Sequence, residues 1–225
     1  HNYTRQFWKR DMVYPKLGFQ NLTFLDQMTS KSDHWPDDQL LFDAAIRGVD
    51  QPASFSRLFF LITVNLHGPY AEKDEHGHAD YDRRMRRSIG QLAAFVEAAN
   101  VAAKRMHRRT VYIVFGDHKP PLLKWFHEQG VLDSSLFSRQ GPSTRDYRLA
   151  PKLSTDQRRQ LQSVPLLILS TDPTLNVGQW TEALGQRPFY CIPALLATKL
   201  LTNPSNFFAA VANFCNSPKL QEMLF

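Results

Sequence analysis

The sequence lacks several features by which large classes of protein are recognised. It has two cysteines in 225 residues, and these form neither a Cys-x-x-Cys pair nor a zinc-finger spacing. No hydrophobic run approaches the roughly 18 consecutive apolar residues of a membrane span. The Gly-x-Ser-x-Gly sequence of many serine hydrolases is also absent. The residues therefore predict no zinc finger, no membrane-spanning helix and no serine nucleophile of that type.

The two cysteines leave a structural question open. Outside the cytoplasm, Cys191 and Cys215 could form a disulfide. They could equally be two buried thiols, because an unpaired cysteine behaves as a small apolar side chain.

The composition is that of a chain with a substantial core. It is 43% hydrophobic and 12% aromatic, so a fold of 225 residues needs no disulfide for stability. Short apolar runs alternate with helical stretches along the sequence. This order predicts the α/β class.

One candidate metal site follows an apolar run. Residues 111–115 (Val-Tyr-Ile-Val-Phe) predict a buried strand, and Gly116-Asp117-His118 comes directly after it. Asp and His are suitable ligands for a divalent metal, and the carboxyl ends of strands carry the chemistry of open α/β sheets. The alternative is a turn in which Asp117 caps the next helix and His118 is merely exposed.

A second apolar run also ends in a histidine. Residues 58–66 predict another buried strand, which His67-Gly68-Pro69-Tyr70 follows at once. In a parallel sheet the loops after both strands open at the same edge. We therefore expect His67 and His118 to face one site.

Three blocks of the sequence, taken in order, carry a resemblance to a known family. The first block is His1-Asn2-Tyr3 with Phe7-Trp8-Lys9-Arg10-Asp11 and Tyr14. The second is Thr63-Val64-Asn65-Leu66-His67-Gly68-Pro69-Tyr70, and the third is Phe115-Gly116-Asp117-His118. The ordered set resembles the lipoteichoic acid synthase and phosphoglycerol transferase branch of the sulfatase/alkaline phosphatase superfamily. Between the first two blocks, residues 33–42 resemble a helix entry of that family.

The resemblance implies an alkaline phosphatase-like fold. Its mostly parallel central sheet would be flanked by helices, with the amino-terminal part missing from this chain. We expect residues 1–225 to form one partial catalytic domain, in which residues 1–125 are the family-like core and residues 126–225 are more divergent. Enzymes of this branch use a threonine nucleophile and an acidic metal ligand that both lie upstream of the region where this chain begins. The fragment alone is therefore expected to be inactive.

The resemblance also implies roles for individual residues. His1, Trp8, Arg10 and His67 would contact the phosphoglycerol group, and His67 would also serve catalysis. Asp117 and His118 would bind one divalent metal ion, Mn²⁺, Mg²⁺ or Zn²⁺. Without the family, Trp8 and Arg10 would be interpreted as an aromatic core contact beside a surface salt bridge.

The charge indicates anionic partners. The formal net charge is +6, and basic clusters at 83–87 and 104–109 flank a predicted helix from about Tyr81 to Met106. The apolar face of this helix is predicted from Met85, Ile89, Leu92, Val96 and Ala99. The clusters are either a solvated helix face or a contact for anionic lipid headgroups or a polyanionic glycan. No nucleic-acid-binding motif is present, so nucleic acid is not an expected partner.

These observations lead to one main hypothesis and two alternatives. The chain is predicted to belong to a metal-dependent transferase that moves a phosphoglycerol-type group from an anionic lipid to an envelope acceptor through a phospho-threonine. Its parent would be anchored through upstream membrane helices, on the extracytoplasmic face of a bacterial membrane. The alternatives are a sulfatase or phosphodiesterase of the same superfamily, and a noncatalytic lipid- or glycan-binding module.

Overall fold

The computed structural model describes residues 1–29, 36–71, 77–141, 147–185, 187–188, 191–200 and 206–217. The chain divides into two compact units, residues 1–109 and residues 110–225. Each unit has its own helices and its own buried residues. The two are therefore described separately.

The first unit is helical in its regular structure. A 3₁₀ turn at Phe7–Lys9 is followed by α1 (Arg10–Lys16), α2 (Leu25–Met28), α3 (Gln39–Val49) and α4 (His78–Arg105). Helices α3 and α4 pack on one another, and the rings of Phe42 and Phe95 stack with centroids 4.9 Å apart. Ala99, Ala102 and Ala103 are buried on α4. Their small side chains allow this 28-residue helix to approach its neighbours closely.

The second unit contains the strands. Its elements are β1 (Val111–Phe115), α5 (Leu123–Glu128), a 3₁₀ turn (Ser134–Leu136), β2 (Phe137–Arg139), β3 (Tyr147–Leu149), α6 (Thr155–Gln162), β4 (Leu166–Ser170), α7 (Val177–Gly185), α8 (Ile192–Leu200) and α9 (Asn206–Cys215). Strands β1 and β4 pair antiparallel, with Ile113 opposite Ile168. Strands β2 and β3 form a second antiparallel pair.

The core of the second unit lies between β4 and the last helices. It includes Ile168, Trp180, Leu184 and Leu195. Cys191 and Cys215 are fully buried in it and are joined by a disulfide. The structure thus decides the question that the sequence left open.

The sheet differs from its prediction. Both two-stranded sheets of the described residues are antiparallel, so the expected parallel central sheet is not observed in them. The predicted strand over residues 58–66 is not formed. Its backbone finds other partners, because the Asn2 N–H donates to the Ile62 carbonyl and the Val64 N–H donates to the Asp38 carboxylate. These groups are thereby unavailable for pairing with a neighbouring strand.

Other predicted elements are confirmed. The strand predicted at 111–115 is β1, although it is half-buried and not fully buried, and the apolar run at 164–170, which also predicts a strand, contains β4. The long helix is α4, which begins three residues before its predicted start. Among the described residues, no helix combines the length and the apolar character that a membrane crossing requires.

Candidate functional site

The loop that carries His67 is attached to a buried carboxylate. Asp38 is 1% exposed, and it accepts hydrogen bonds from the Val64 N–H at 2.9 Å and the Asn65 N–H at 3.2 Å. The Asn2 side chain donates to the same carboxylate at 3.0 Å. Burial raises the pKa of Asp38, although these three donors oppose that shift. Asp38 thus holds the segment that leads to His67 against the start of α3.

The other side of this loop is held by Arg84 of α4. Its Nη1 donates to the carbonyls of Asn65 at 3.4 Å and His67 at 3.1 Å, and its Nη2 donates to the Pro69 carbonyl at 3.4 Å. The same guanidinium lies over the Tyr70 ring, 5.6 Å from its centroid. A single side chain therefore contacts the loop on both sides of His67.

A buried carboxylate holds Arg84 in turn. Asp80 is 4% exposed and binds Arg84 at 2.7 Å and Arg83 at 2.6 Å, and it accepts the Ala71 N–H at 2.8 Å. Burial acts to raise the pKa of Asp80, but the Ala71 N–H and the two guanidinium groups outweigh it and lower the pKa. Asp80 is therefore the charged anchor of the arginines beside the His67 loop.

The imidazole of His67 has a defined tautomer when it is neutral. Its Nδ1 lies 2.6 Å from the carbonyl oxygen of Gly68. Because a carbonyl can only accept, Nδ1 carries the proton and Nε2 is the basic nitrogen of the ring. The side chain is exposed, so Nε2 can accept or deliver a proton at a bound group.

His1 and Arg10 supply polar atoms that have no partner within the described part of the chain. Both ring nitrogens of His1 and Nη1 of Arg10 are buried without a hydrogen bond there. Burial lowers the pKa of the His1 amino group to about 6, and the positive charge of Arg10 contributes to this shift. The charge of Arg10 therefore acts on His1. Buried polar groups are normally paired, so these atoms fit a place where a polar ligand binds.

Trp8 lies close to this pair in sequence but differs from them in burial. Its side chain is 79% exposed, and its backbone has a φ of 58°. A bulky residue rarely adopts this left-handed conformation, and such strain concentrates at functional sites. The alternative of an aromatic core contact is wrong for Trp8.

The turn after β1 presents Asp117 and His118 to solvent. Their side chains are 82% and 66% exposed, and Oδ2 of Asp117 lies 3.7 Å from Nε2 of His118. Oδ1 of Asp117 accepts the backbone N–H of His118 at 2.9 Å. Leu122, at the N-cap of α5, makes no side-chain capping bond. The interpretation of Asp117 as the cap of this helix is thus not observed.

The donor atoms of two side chains in this turn, Asp117 and His118, have the chemistry that suits a divalent metal. Nδ1 of His118 lies 2.8 Å from the Lys119 carbonyl, so Nδ1 carries the proton and Nε2 is the nitrogen suited to a metal. Metal-binding histidines usually donate their second nitrogen in this way. Among the described residues no group of three His, Cys, Asp or Glu could hold a metal. On their own, Asp117 and His118 could supply two ligands of a coordination shell, and the remaining ligands would have to come from elsewhere.

The predicted convergence of the two histidines stays a prediction. His67 belongs to the first unit, and Asp117 and His118 belong to the second. Within the first unit, the structure adds the anchors that sequence reasoning missed, which are Asp38, Asp80 and Arg84. The available signal for Asp38 was the pair Asp37-Asp38 before a helix. That pattern predicts a cap, but the Asp38 side chain makes no capping bond.

Comparison with known proteins gives a family. A model of the family described as Sulfatase matches residues 1–209. A Rhizobium meliloti (strain 1021) protein, whose name assigns it to cyclic beta-1,2-glucan modification, is 27% identical over 199 residues, which are 81% of this chain and 29% of that protein. The capsular polysaccharide biosynthesis protein RkpI of the same organism is 28% identical over 137 residues, covering 56% of this chain and 24% of its own length.

The chain thus spans less than a third of the length of these curated relatives. No solved structure matches it significantly. The family implies the alkaline phosphatase-like α/β fold, and its members are generally hydrolases or transferases. Because the family model covers most of the residues, from the His1 segment past the Asp117–His118 turn, the chain belongs to the sulfatase family.

Proposed function

We propose that this chain is part of a metal-dependent transferase that moves a phosphoglycerol-type group from an anionic lipid to an envelope glycan. The observation that carries the proposal is the set of unpartnered polar atoms on His1 and Arg10. An arginine and a histidine whose buried nitrogens have no partner in the described residues match the needs of a phosphate group. The names of the two relatives, which concern glucan modification and capsular polysaccharide, support a glycan as acceptor.

Each side chain has a role in this proposal. Arg10 and His1 bind the phosphate group, and the exposed ring of Trp8 covers the glycerol part. His67 delivers a proton from Nε2 to the leaving alkoxide, because its Nδ1 proton is held by the Gly68 carbonyl. The covalent intermediate would be a phospho-threonine, and no residue of this chain is assigned as that threonine.

The proposal also includes a divalent metal ion, for which this chain supplies two ligands. Asp117 and His118 would hold a divalent cation, Mn²⁺, Mg²⁺ or Zn²⁺, which when bound stabilises negative charge on a phosphoryl oxygen and lowers the pKa of a hydroxyl nucleophile. The hydrogen bond from Nδ1 of His118 to the Lys119 carbonyl orients the imidazole for this task.

We also propose that the protein acts on the extracytoplasmic side of a membrane. A disulfide between Cys191 and Cys215 persists in oxidising compartments, which favours the extracytoplasmic side of the membrane. Membrane helices in other parts of the parent protein would keep it near its lipid donor. The substrate donor and the compartment are then consistent with one another.

The test uses the full-length protein with two substrates, phosphatidylglycerol and an aryl sulfate. The proposal expects diacylglycerol to be released from phosphatidylglycerol in the presence of Mn²⁺, and this release to stop with EDTA. His67→Ala should lower the rate at least about 100-fold, the usual effect of losing a general acid. Arg86→Gln is the control, because Arg86 pairs with the exposed Asp82 on the surface of α4.

Other results would replace the proposal. Hydrolysis of the aryl sulfate without use of phosphatidylglycerol would identify a sulfatase. Metal-independent ligand binding that survives Asp117→Asn, with neither substrate consumed, would identify a noncatalytic binding module.

A further inference from the structure

We propose that a cavity beside the His67 loop is a second subsite, which binds a tetrahedral oxyanion such as a phosphate or sulfate group. The cavity has a volume of about 400 Å³ and lies entirely within the first unit. It is lined by Asn65, Asp80, Arg83, Arg84 and Arg87. The use of this subsite by a substrate of the enzyme rests on the proposed function. The binding of an oxyanion in the cavity does not.

The lining of the cavity has an excess of positive charge. Three guanidinium groups face one carboxylate, that of Asp80. Asp80 binds Arg83 and Arg84 through different oxygens and takes a third hydrogen bond from the Ala71 N–H. Asp80 is thereby neutralised and fixed, and because the Asp37 carboxylate pairs with Arg87, one net positive charge remains to attract an anion.

Arg83 and Arg87 keep most of their donors. Within the described residues, Arg83 bonds through one nitrogen to Asp80, and Arg87 bonds through one nitrogen to Asp37. A guanidinium carries five N–H donors, so each has several left for a ligand. Their side chains are 67% and 59% exposed, and an anion can therefore reach them from solvent.

The anchored arginines are suited to binding because they are already ordered. Asp37 also accepts a hydrogen bond from Gln91, and Arg84 is held by three carbonyls of the loop at residues 65–69. An ordered side chain loses less conformational entropy when a ligand arrives. Arginine also matches the oxygens of phosphate and sulfate with pairs of parallel hydrogen bonds.

Arg84 joins this cavity to the His67 loop. The Nη1 of Arg84 donates to the carbonyl of His67 at 3.1 Å, so the cavity and the imidazole share one support. A cavity of about 400 Å³ is also larger than one oxyanion needs and falls in the size range of ligand pockets. A donor or acceptor that carries more than one anionic group would place its second group here.

The binding can be measured without any catalysis. The full-length protein, in the presence of EDTA, is titrated with inorganic phosphate and separately with sodium sulfate, and amide shifts are followed by NMR at constant ionic strength. Arg83→Gln and Arg87→Gln should each weaken binding about tenfold, the effect of losing a hydrogen bond to a charged group. Thermal unfolding checks that both variants remain folded.

Arg86→Gln is the matched control. It removes the same charge from the same helix, but Arg86 pairs with Asp82 and does not line the cavity. It should change the dissociation constant less than about twofold, because a charge outside the cavity is screened by salt. Equal weakening by all three variants would show diffuse surface attraction and overturn the proposal. Failure to see saturable shifts at residues 65 and 83–87 in the wild type would overturn it as well.

One more variant separates this subsite from the proposed function. His67→Ala should leave phosphate binding within about twofold of wild type, because the His67 side chain does not line the cavity. Loss of transferase activity with intact phosphate binding would therefore count against the proposed function alone. Absence of saturable shifts at residues 65 and 83–87 in a wild type that retains transferase activity would count against the subsite alone.

Discussion

The His67 loop and the Asp117–His118 turn are held in opposite ways. The loop is fixed by side chains distant in sequence, namely the buried Asp38 and the half-buried Arg84. The turn is fixed by bonds between adjacent residues, and its two side chains are more than half exposed. The loop is therefore preorganised by the fold, whereas the turn presents the side chains of Asp117 and His118 on a local scaffold.

The stability of the surrounding units has different sources as well. In the first unit, buried carboxylates at positions 38 and 80 collect donors from several segments. In the second unit, a disulfide joins the start of α8 to the end of α9 within an apolar core. Substitutions in the first unit should therefore destabilise it by leaving buried donors without an acceptor, and substitutions of the cysteines should destabilise the second unit by removing its covalent link.

Asp38→Ala should have the largest effect on stability. It leaves the donors of Asn2, Val64 and Asn65 without their acceptor in a buried place, and each unsatisfied donor costs about 1–3 kcal/mol. We expect the free energy of unfolding to fall by about 4 kcal/mol in urea titrations, after subtraction of the desolvation cost that the carboxylate itself carries.

Asp43→Ala is the control for this variant. It removes an exposed carboxylate of the same helix that bonds only to Gln39 among the described residues. Its loss should stay below about 0.5 kcal/mol. Equal losses for both variants would show that Asp38 is no anchor.

The double variant Cys191→Ala and Cys215→Ala should have the next largest effect. The two cysteines are 24 residues apart, and a loop of this length corresponds to about 3 kcal/mol of stabilisation. Thermal unfolding with and without a reductant measures it. The reductant should destabilise the wild type and leave the double variant unchanged; an unchanged wild type would contradict the account.

Arg84→Gln should have a smaller effect on stability and a clear effect on the loop. It removes three hydrogen bonds to carbonyls of residues 65–69, while Arg83 continues to neutralise Asp80. We expect a loss of about 2 kcal/mol and altered NMR shifts of the His67 ring. Arg86→Gln again serves as the control, and matching spectra for the two variants would show that Arg84 does not position the loop.

Asp117→Asn should have the smallest effect on stability, below about 0.5 kcal/mol, because its side chain is 82% exposed. The same change should weaken Mn²⁺ binding at least about tenfold in calorimetric titrations of the full-length protein, since a carboxylate ligand is lost. The control is Asp156→Asn, which alters a 91% exposed carboxylate of α6. Unchanged Mn²⁺ affinity in Asp117→Asn would remove this residue from the metal site.

The elements that the sequence predicts correctly depend on local patterns. Strand β1 is a compact apolar run before a glycine, and α4 has a long helical periodicity. The face of α4 was placed less well, because Ile89 is 58% exposed while Phe95 is buried against Phe42. Periodicity indicates a helix, but the neighbouring helix decides which apolar residues are covered.

The incorrect and missed elements depend on partners elsewhere in the chain. The apolar run at 58–66 predicts burial, yet Leu58 and Phe60 are 76% and 47% exposed, and no strand pairs with them in the described residues. Helix α6 was missed within a polar stretch, although Ser154 and Gln157 form the reciprocal bonds of a capping box. A polar helix has little apolar periodicity, so the cap was its one signal.

The residues of the candidate site also divide into those that a local sequence pattern marks and those that depend on distant partners. His67, Asp117 and His118 were predicted as site residues because each comes just after an apolar run, whereas His1, Trp8 and Arg10 were predicted from the family resemblance alone. The anchors Asp38, Asp80 and Arg84 were missed because most of their partners are 9 to 36 residues away, and no local pattern identifies such pairs.

The most direct test of the central claim is paramagnetic broadening by Mn²⁺ in NMR spectra of the full-length protein with labelled histidines. If His67 and the Asp117–His118 metal ligands serve one site, substoichiometric Mn²⁺ will broaden the ring signals of both His118 and His67. Asp117→Asn will then suppress both effects. Broadening of His118 with an unaffected His67 signal would contradict the account.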